Sequence, residues 1–238
     1  MISENSHLLS IPNALDKKLI FCLDGIRVSL QTIHLSYTRL SSHLKELSLE
    51  KDKMQNIDFT YASLDAWAFI DAVYRLNGLW GVLSKLLILD TCFSKENIDE
   101  KCGDVKYIRN VLAHLSQRLD HIVSSNSSIV GEISWLAIKN DNPLLVKTYF
   151  VRSGLFYKDL GFKLNLPKDK VTFNEFKVGN IKFNVSGYAI EISEIFNYLL
   201  GLVDYLEQLL FNEYQKLKQY EACPLNIFAS AEITIVES

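Results

Sequence analysis

Apolar residues recur every three or four positions over four long stretches of the chain, a spacing typical of helices that bury one face. The first stretch, from about Asn13 to Lys51, is the most regular, and its seam alternates steps of four and three through Leu15, Leu19, Leu23, Ile26, Leu30, Ile33, Tyr37, Leu40, Leu44 and Leu47. A seam of this kind predicts one long helix that packs against other helices of the same bundle. The other three stretches are residues 56–90, 97–124 and 193–220. We therefore predict four long helices.

The pattern changes between the third and fourth of these stretches. Residues 131–139 and 145–152 are rich in β-branched and aromatic side chains, and Asn140-Asp141-Asn142-Pro143 between them is a turn signal. They predict an antiparallel hairpin, and residues 181–185 predict a further strand. The fold class we expect is mainly α, a four-helix up-and-down bundle with a β-rich insert, residues 129–187, between the third and fourth long helices. Residues 1–238 would form a single domain, because the last helix needs the first three to cover its apolar face.

The composition is that of an ordered globular protein, with 48% hydrophobic residues, 4 Pro and 10 Gly. A net charge of −3 argues against a protein that coats nucleic acid, without excluding a local basic patch. The four cysteines, Cys22, Cys92, Cys102 and Cys223, form no Cys-x-x-Cys pair, which indicates free buried thiols in a reducing compartment. The sequence has no signal-peptide pattern and no apolar run long enough to cross a membrane. We therefore expect a cytoplasmic protein that makes no membrane contact.

The third predicted helix carries two rows of side chains. Its apolar row consists of Ile98, Val105, Ile108, Leu112, Leu115, Leu119 and Ile122, and we expect all of it to be buried. Its polar row consists of Tyr107, Asn110, His114, Gln117 and His121, with Arg109 at the edge. A solvated face usually carries Lys and Glu, whereas these groups are neutral or titrate near pH 7. The polar row therefore predicts a half-buried cleft or a polar interface.

Arg109 and His114 combine a group that can bind phosphate with a group that can act as an acid or a base. Histidine can take up and release a proton near neutral pH, and the planar guanidinium matches phosphate oxygens. Five residues place the two side chains about 140° apart around a helix. The guanidinium would therefore have to swing toward the imidazole or meet the imidazole of a second copy. A second copy would also supply a separate acid and base.

Four further residues are candidates for supporting roles at this site. Asn110 would orient the imidazole or bind a ribose, while Gln117 and His121 would widen the same surface. Asp65, on the second predicted helix, has apolar neighbours in sequence and is a candidate to face the same cleft. No metal-ligand constellation and no Gly-rich phosphate loop occurs, so we expect no metal and no cofactor.

The string Arg109-Asn110-x-x-x-His114 on a bundle helix resembles the HEPN family (higher eukaryotes and prokaryotes nucleotide-binding). The resemblance covers about residues 13–124 and the last helix, and leaves the β-rich insert unaccounted for. It implies a homodimeric, metal-independent endoribonuclease of toxin or defence type, with an RNA substrate and an inhibitory protein partner. Some members are not catalytic, so a dimeric scaffold or nucleotide-binding module is the alternative. Ser116 stands where some members carry a Tyr that a partner modifies, a departure from the partner-modified toxin pattern.

Other interpretations of these residues stay open. His114 could be a structural histidine, with Arg109 paired to Asp104 or Asp65. Arg27 and His34 satisfy a looser form of the motif, but they lie on the heptad helix and have no polar row beside them.

The β-rich insert has a basic character of its own. Residues 143–187 contain eight Lys and Arg against three Asp and Glu, with aromatic residues interleaved. Such a surface could hold a single strand through phosphate contacts and base stacking, with Lys158, Lys163, Lys168 and Lys170 as the candidate contacts. The alternative is that the lysines protect exposed β edges while the aromatic rings are buried beneath them.

Overall fold

The computed structural model describes residues 1–49, 56–124, 127–141, 144–152, 154, 171–173, 177–217 and 219–230. This part of the chain is mainly helical and has one small antiparallel sheet. Its α-helices are α1 (Lys17–Leu49), α2 (Asn56–Leu86), α3 (Lys95–Cys102), α4 (Val105–Ala113), α5 (Leu115–Ser124) and α6 (Ile192–Gln215). The prediction is confirmed for the first, second and fourth long helices.

The third predicted helix is wrong as a single element, because the chain there forms α3, α4 and α5. Helix α3 begins before Asn97, since Ser94 caps it and accepts a hydrogen bond from the Asn97 backbone N–H at 3.3 Å. It ends at Gly103, whose φ of 50° lies in the left-handed region that glycine adopts readily. Helix α4 ends at His114, whose φ of −120° and ψ of 34° depart from helical geometry. Helix α5 resumes at Leu115.

The core lies mainly between α1, α2 and α6. Nine of the ten predicted seam positions lie on α1 and are buried, whereas Leu15 precedes the helix and is partly buried against the same core. Large α2 side chains such as Phe69 and Trp80 are fully buried, as are Leu199, Leu202 and Leu206 of α6. Close packing of these apolar faces is the main contribution to the stability of such an arrangement. Within the described ranges, no helix is both long and apolar enough to cross a membrane.

The sheet has the strand order β2-β1-β3-β4, with every neighbouring pair antiparallel. Its strands are β1 (Glu132–Asp141), β2 (Leu144–Arg152), β3 (Val178–Val185) and β4 (Tyr188–Glu191). The predicted hairpin and the further strand are confirmed, whereas the four-residue β4 was not predicted. Helix α6 follows β4 directly, and Ser193 at its start accepts a hydrogen bond from the Ile181 backbone N–H at 3.0 Å.

The sheet is fastened to the end of α1 through Ser48. Trp135 donates from Nε1 to the Ser48 hydroxyl at 2.9 Å, and the Tyr149 hydroxyl donates to the Ser48 carbonyl at 3.1 Å. The two rings stack on each other and are buried. Because these polar atoms are both buried and paired, each hydrogen bond contributes about 1 kcal/mol. The buried residues of the sheet and of the helices form one continuous hydrophobic cluster.

Candidate functional site

The α4–α5 segment is anchored by only part of its predicted apolar row. Val105 and Ile108 are fully buried, and Ile122 is the buried residue of α5. Leu112 and Leu119, however, are 38% and 47% exposed, so the prediction of one fully buried row is wrong. The segment therefore leaves part of its apolar row exposed.

Arg109 projects from α4 onto α2. Its Nε lies 3.7 Å from Oδ1 of Asp71, and its Cζ lies 5.0 Å from the centre of the Tyr74 ring. Asp71 also binds Arg75, with 3.2 Å between Oδ2 and Nε. The side chain of Arg109 is 39% exposed, so these partners position the guanidinium without enclosing it. Its ion-pair partner is thus neither Asp104 nor Asp65.

His114 is exposed at the junction of α4 and α5. Its backbone N–H donates to the Asn110 carbonyl at 3.1 Å, and its carbonyl accepts from the backbone N–H groups of Gln117 and Arg118. Its imidazole makes no hydrogen bond or ion pair with the residues that the structure describes. His114 is therefore not a buried structural histidine.

The rest of the polar row is more exposed than the sequence predicted. Asn110 is half-buried, Gln117 and His121 are exposed on α5, and the side chain of Tyr107 is 51% exposed. Tyr107 lines a cleft, described below, but Asn110, His114, Gln117 and His121 do not line it. These four residues lie on an open surface beside the exposed Leu112 and Leu119, an arrangement that suits an interface better than an enclosed pocket.

Asp65 belongs to a different group of side chains. It is buried, and its Oδ1 lies 3.2 Å from the guanidinium of Arg39 on α1. Burial raises the pKa of Asp65, while Arg39 and His43 oppose that shift. Six residues separate Asp65 from Asp71, which places them about 120° apart around α2. The structure thus does not bring Asp65 to Arg109.

A cleft of about 480 Å³, which we call the α2–α3 cleft, lies next to Arg109. Its walls come from α2, α3 and the first turn of α4, and its charged and aromatic lining consists of Tyr74, Arg75, Lys95, Asp99, Lys106 and Tyr107. Local sequence patterns do not predict this cleft, because its wall is built from residues on three helices.

Asp99 organises one wall of the α2–α3 cleft. It accepts a hydrogen bond from the Lys95 ammonium group, and Nδ2 of Asn77 donates to its Oδ1 at 2.8 Å. Burial alone would raise the pKa of Asp99, but these hydrogen bonds outweigh burial and hold that pKa below its ordinary value. On the same helix as Asp99, Cys102 is buried, and burial raises the pKa of its thiol to about 12. Cys102 therefore contributes packing here and no thiolate chemistry.

The other basic candidates are placed less favourably or lie outside the described ranges. Lys158, Lys163, Lys168 and Lys170 all lie outside the described residues. In the described part of the insert, Arg152 pairs with Glu132 and Lys182 pairs with Glu191, so two of the basic side chains are neutralised locally. In the looser motif on α1, Arg27 is buried and already forms an ion pair with Asp24, at a distance of 2.6 Å.

The cysteines and the metal-binding residue types add no second site. Cys22 and Cys102 are buried free thiols as predicted, whereas Cys92 is exposed and Cys223 is half-buried. Among the residues described, no group of three or more His, Cys, Asp or Glu side chains could hold a metal ion.

No protein-family model, no curated protein and no solved structure matches the chain. The candidate chemistry therefore rests on the residues of this chain.

Proposed function

We propose that the chain is a HEPN-like, homodimeric endoribonuclease that cleaves RNA in the cytoplasm without a metal ion, with Arg109 and His114 as its reacting pair. The proposed fold is the four-helix up-and-down bundle, in which the broken segment α3–α5 takes the place of the third helix. The observation that carries the proposal is how the side chains of Arg109 and His114 are placed and what they contact. The guanidinium is held at the surface by Asp71 and Tyr74, and the imidazole of His114 is uncommitted.

The reaction would be an attack of the 2′-hydroxyl oxygen on the adjacent phosphorus. A neutral imidazole accepts the hydroxyl proton, the bond between phosphorus and the 5′-oxygen breaks, and a protonated imidazole gives a proton to that leaving oxygen. Arg109 stabilises the charge that develops on the non-bridging phosphate oxygens. The products are a 2′,3′-cyclic phosphate and a free 5′-hydroxyl.

Two copies of the chain suit this reaction better than one. Arg109 and His114 lie on different sides of α4, and a single imidazole cannot act as base and acid in the same step. Twofold pairing of the α4–α5 segments would bring two imidazoles together. It would also bury Leu112 and Leu119, which are partly exposed in the single chain.

The decisive experiment is an RNA-cleavage assay in EDTA that compares the wild-type protein with His114→Ala and Arg109→Ala. We expect both substitutions to lower the rate by about a hundredfold or more. His34→Ala is the matched control, because it removes an exposed histidine of α1 that lies outside the polar row, and it should retain most of the activity. Wild-type protein that leaves no cyclic phosphate ends, or His114→Ala with full activity, would refute the nuclease proposal.

The dimer has its own test, by light scattering. Leu119→Asp should convert a dimer into a monomer, whereas Leu35→Asp, at an exposed leucine of α1, should leave the dimer intact. A dimer that survives Leu119→Asp would place the interface elsewhere.

A second candidate function is a non-catalytic HEPN-like interaction or nucleotide-binding module that acts as a dimeric scaffold. It is favoured by the ion pair that already engages Arg109 with Asp71, and by the exposed polar row. An inhibitory protein partner could bind the same apolar surface. Dimerisation through Leu119 without RNA cleavage is the result expected for this function.

A further inference from the structure

The α2–α3 cleft carries more positive charge than its own carboxylates neutralise. Its lining contains Arg75, Lys95 and Lys106 against Asp99, and the Arg109–Asp71 ion pair lies beside it. Lys106 is exposed and interacts through space with the charge of Asp99, without a direct ion pair to any residue in the described ranges. An exposed ammonium group at the mouth of a recess attracts an anion, and its long side chain can reach a phosphate.

The same cleft offers an aromatic surface beside that cation. The ring of Tyr107 stacks on the ring of Tyr188, with 5.3 Å between their centres and 10° between their planes. Tyr188 at the start of β4 thereby supports one face of Tyr107, and the side chain of Tyr107 remains 51% exposed. A supported aromatic ring next to a lysine is a combination that binds the bases and phosphates of single strands.

The cleft is also continuous with the candidate reacting pair. Tyr74 lines the cleft and also lies under the guanidinium of Arg109, while Lys106 and Tyr107 precede Arg109 by three and two residues on α4. A phosphate held by Arg109 would therefore have its neighbouring nucleotide beside Tyr107. The volume of about 480 Å³ falls in the range of pockets that hold molecules of nucleotide size.

We propose that the α2–α3 cleft binds the RNA nucleotide next to the cleaved phosphodiester, with its base stacked on Tyr107 and its phosphate contacted by Lys106 and Arg75. The inference rests on the proposed ribonuclease function and adds where the strand runs on the protein. Lys106 and Tyr107 would set substrate affinity, while the reacting groups remain Arg109 and His114.

The test is the binding of a fluorescently labelled 2′-O-methyl RNA oligonucleotide, which cannot undergo 2′-hydroxyl attack, followed by fluorescence anisotropy. We expect Lys106→Glu and Tyr107→Ala each to raise Kd about tenfold. Tyr107→Phe, which keeps the stacking surface, should bind as the wild type does. Lys101→Glu makes the same charge change at an exposed lysine of α3 outside the cleft, and should change Kd by less than about twofold. Circular dichroism melting curves verify that each variant is folded.

The outcomes separate this cleft from the ribonuclease proposal. If the wild type cleaves RNA, Lys106→Glu should raise KM and leave kcat nearly unchanged, because it removes binding common to the ground and transition states. If the wild type does not cleave RNA but Lys106→Glu and Tyr107→Ala still weaken oligonucleotide binding, the cleft assignment stands and the nuclease fails. Unchanged affinity in both variants, or no wild-type binding, would overturn the cleft assignment. Displacement of the oligonucleotide by micromolar AMP would also overturn it, since the cleft would then hold a free nucleotide.

Discussion

Asp71 should weaken RNA binding, because it competes with phosphate for the guanidinium of Arg109. The change to make is Asp71→Asn, which keeps the shape of the side chain and removes its charge. At the 3.7 Å between Arg109 Nε and Asp71 Oδ1, two unit charges attract by roughly 1 kcal/mol in water and roughly 4 kcal/mol at an effective dielectric constant near 20.

The solvent exposure of the two side chains decides which of those two energies applies. The side chains of Arg109 and Asp71 are 39% and 47% exposed, and ion pairs of such exposure contribute about 0.2–1 kcal/mol. Release of Arg109 should therefore tighten the binding of the 2′-O-methyl oligonucleotide by up to about fivefold. The free energy of unfolding should change by no more than about 1 kcal/mol.

A double-mutant cycle isolates the contribution of Arg109 from that of Arg75, the other partner of Asp71. Dissociation constants are measured at low ionic strength for the wild type, Asp71→Asn, Arg109→Ala and the double variant. We expect Asp71→Asn to tighten binding much less when Arg109 is absent. The same cycle with Arg75→Ala is the matched comparison. If Asp71→Asn increases the affinity equally with and without Arg109, Asp71 acts only through the long-range electrostatic potential. That result would refute competition between Asp71 and phosphate for Arg109.

Three further predictions concern stability and are read from urea or thermal unfolding. Because burial raises the pKa of Asp65 in the folded state, the folded carboxyl keeps its proton more readily than the unfolded one. The contribution of Asp65 to stability therefore falls as pH rises above about 4, and the stability of Asp65→Asn relative to the wild type should grow over that window. Trp135→Phe removes the buried hydrogen bond to Ser48 and should cost about 1–3 kcal/mol. Gly131→Ala should cost more than about 1 kcal/mol, because φ is 91° there and a Cβ would lie 2.2 Å from Cζ of Phe183.

Each of these stability predictions has a result that contradicts it. For Asp65, a variant whose stability relative to the wild type stays constant between pH 4 and 7 would mean that the carboxyl is not desolvated. For Trp135, an unchanged urea midpoint would mean that the hydrogen bond to Ser48 contributes nothing. For Gly131, the comparison is Gly187→Ala, where φ is 83° but nothing lies within 4 Å of the added Cβ. Equal losses at both glycines would assign the effect to backbone strain and exclude the clash.

Local periodicity explains why α1 could be predicted so completely. Apolar residues at alternating steps of four and three define a helical face wherever the partner lies, and nine of the ten seam positions are buried as expected. The same logic failed at the third stretch, because its apolar spacing continues across Gly103 and across the junction at His114. A period does not show where the backbone leaves helical geometry. The start of this stretch was also misplaced, because Asn97 with Glu100 resembles a capping box, whereas Ser94 caps the helix three residues earlier.

Periodicity also does not show whether anything covers an apolar face. Leu112 and Leu119 continue the row of Ile108, yet the rest of the described chain leaves them exposed. The candidate site followed from chemistry as far as Arg109 and His114. The contact of Arg109 with Tyr74 and Asp71 joins residues distant in sequence, so local reasoning could not predict it. The assignment of Asp65 failed for the same reason, because its burial against Arg39 depends on how α1 and α2 meet.

Two native cysteines near the ends of α3 can serve as thiol reporters. Cys92 is exposed just before the helix, and Cys102 is buried at its last turn, where its thiol keeps its proton at neutral pH. An alkylating reagent should therefore modify Cys92 in the native protein and reach Cys102 only when α3 lifts away from α2. Cys22, buried on α1, reports opening of the main core in the same sample. Mass spectrometry of the alkylated peptides would therefore compare the rate at which α3 opens with the rate at which the whole protein unfolds. The experiment needs no introduced cysteine.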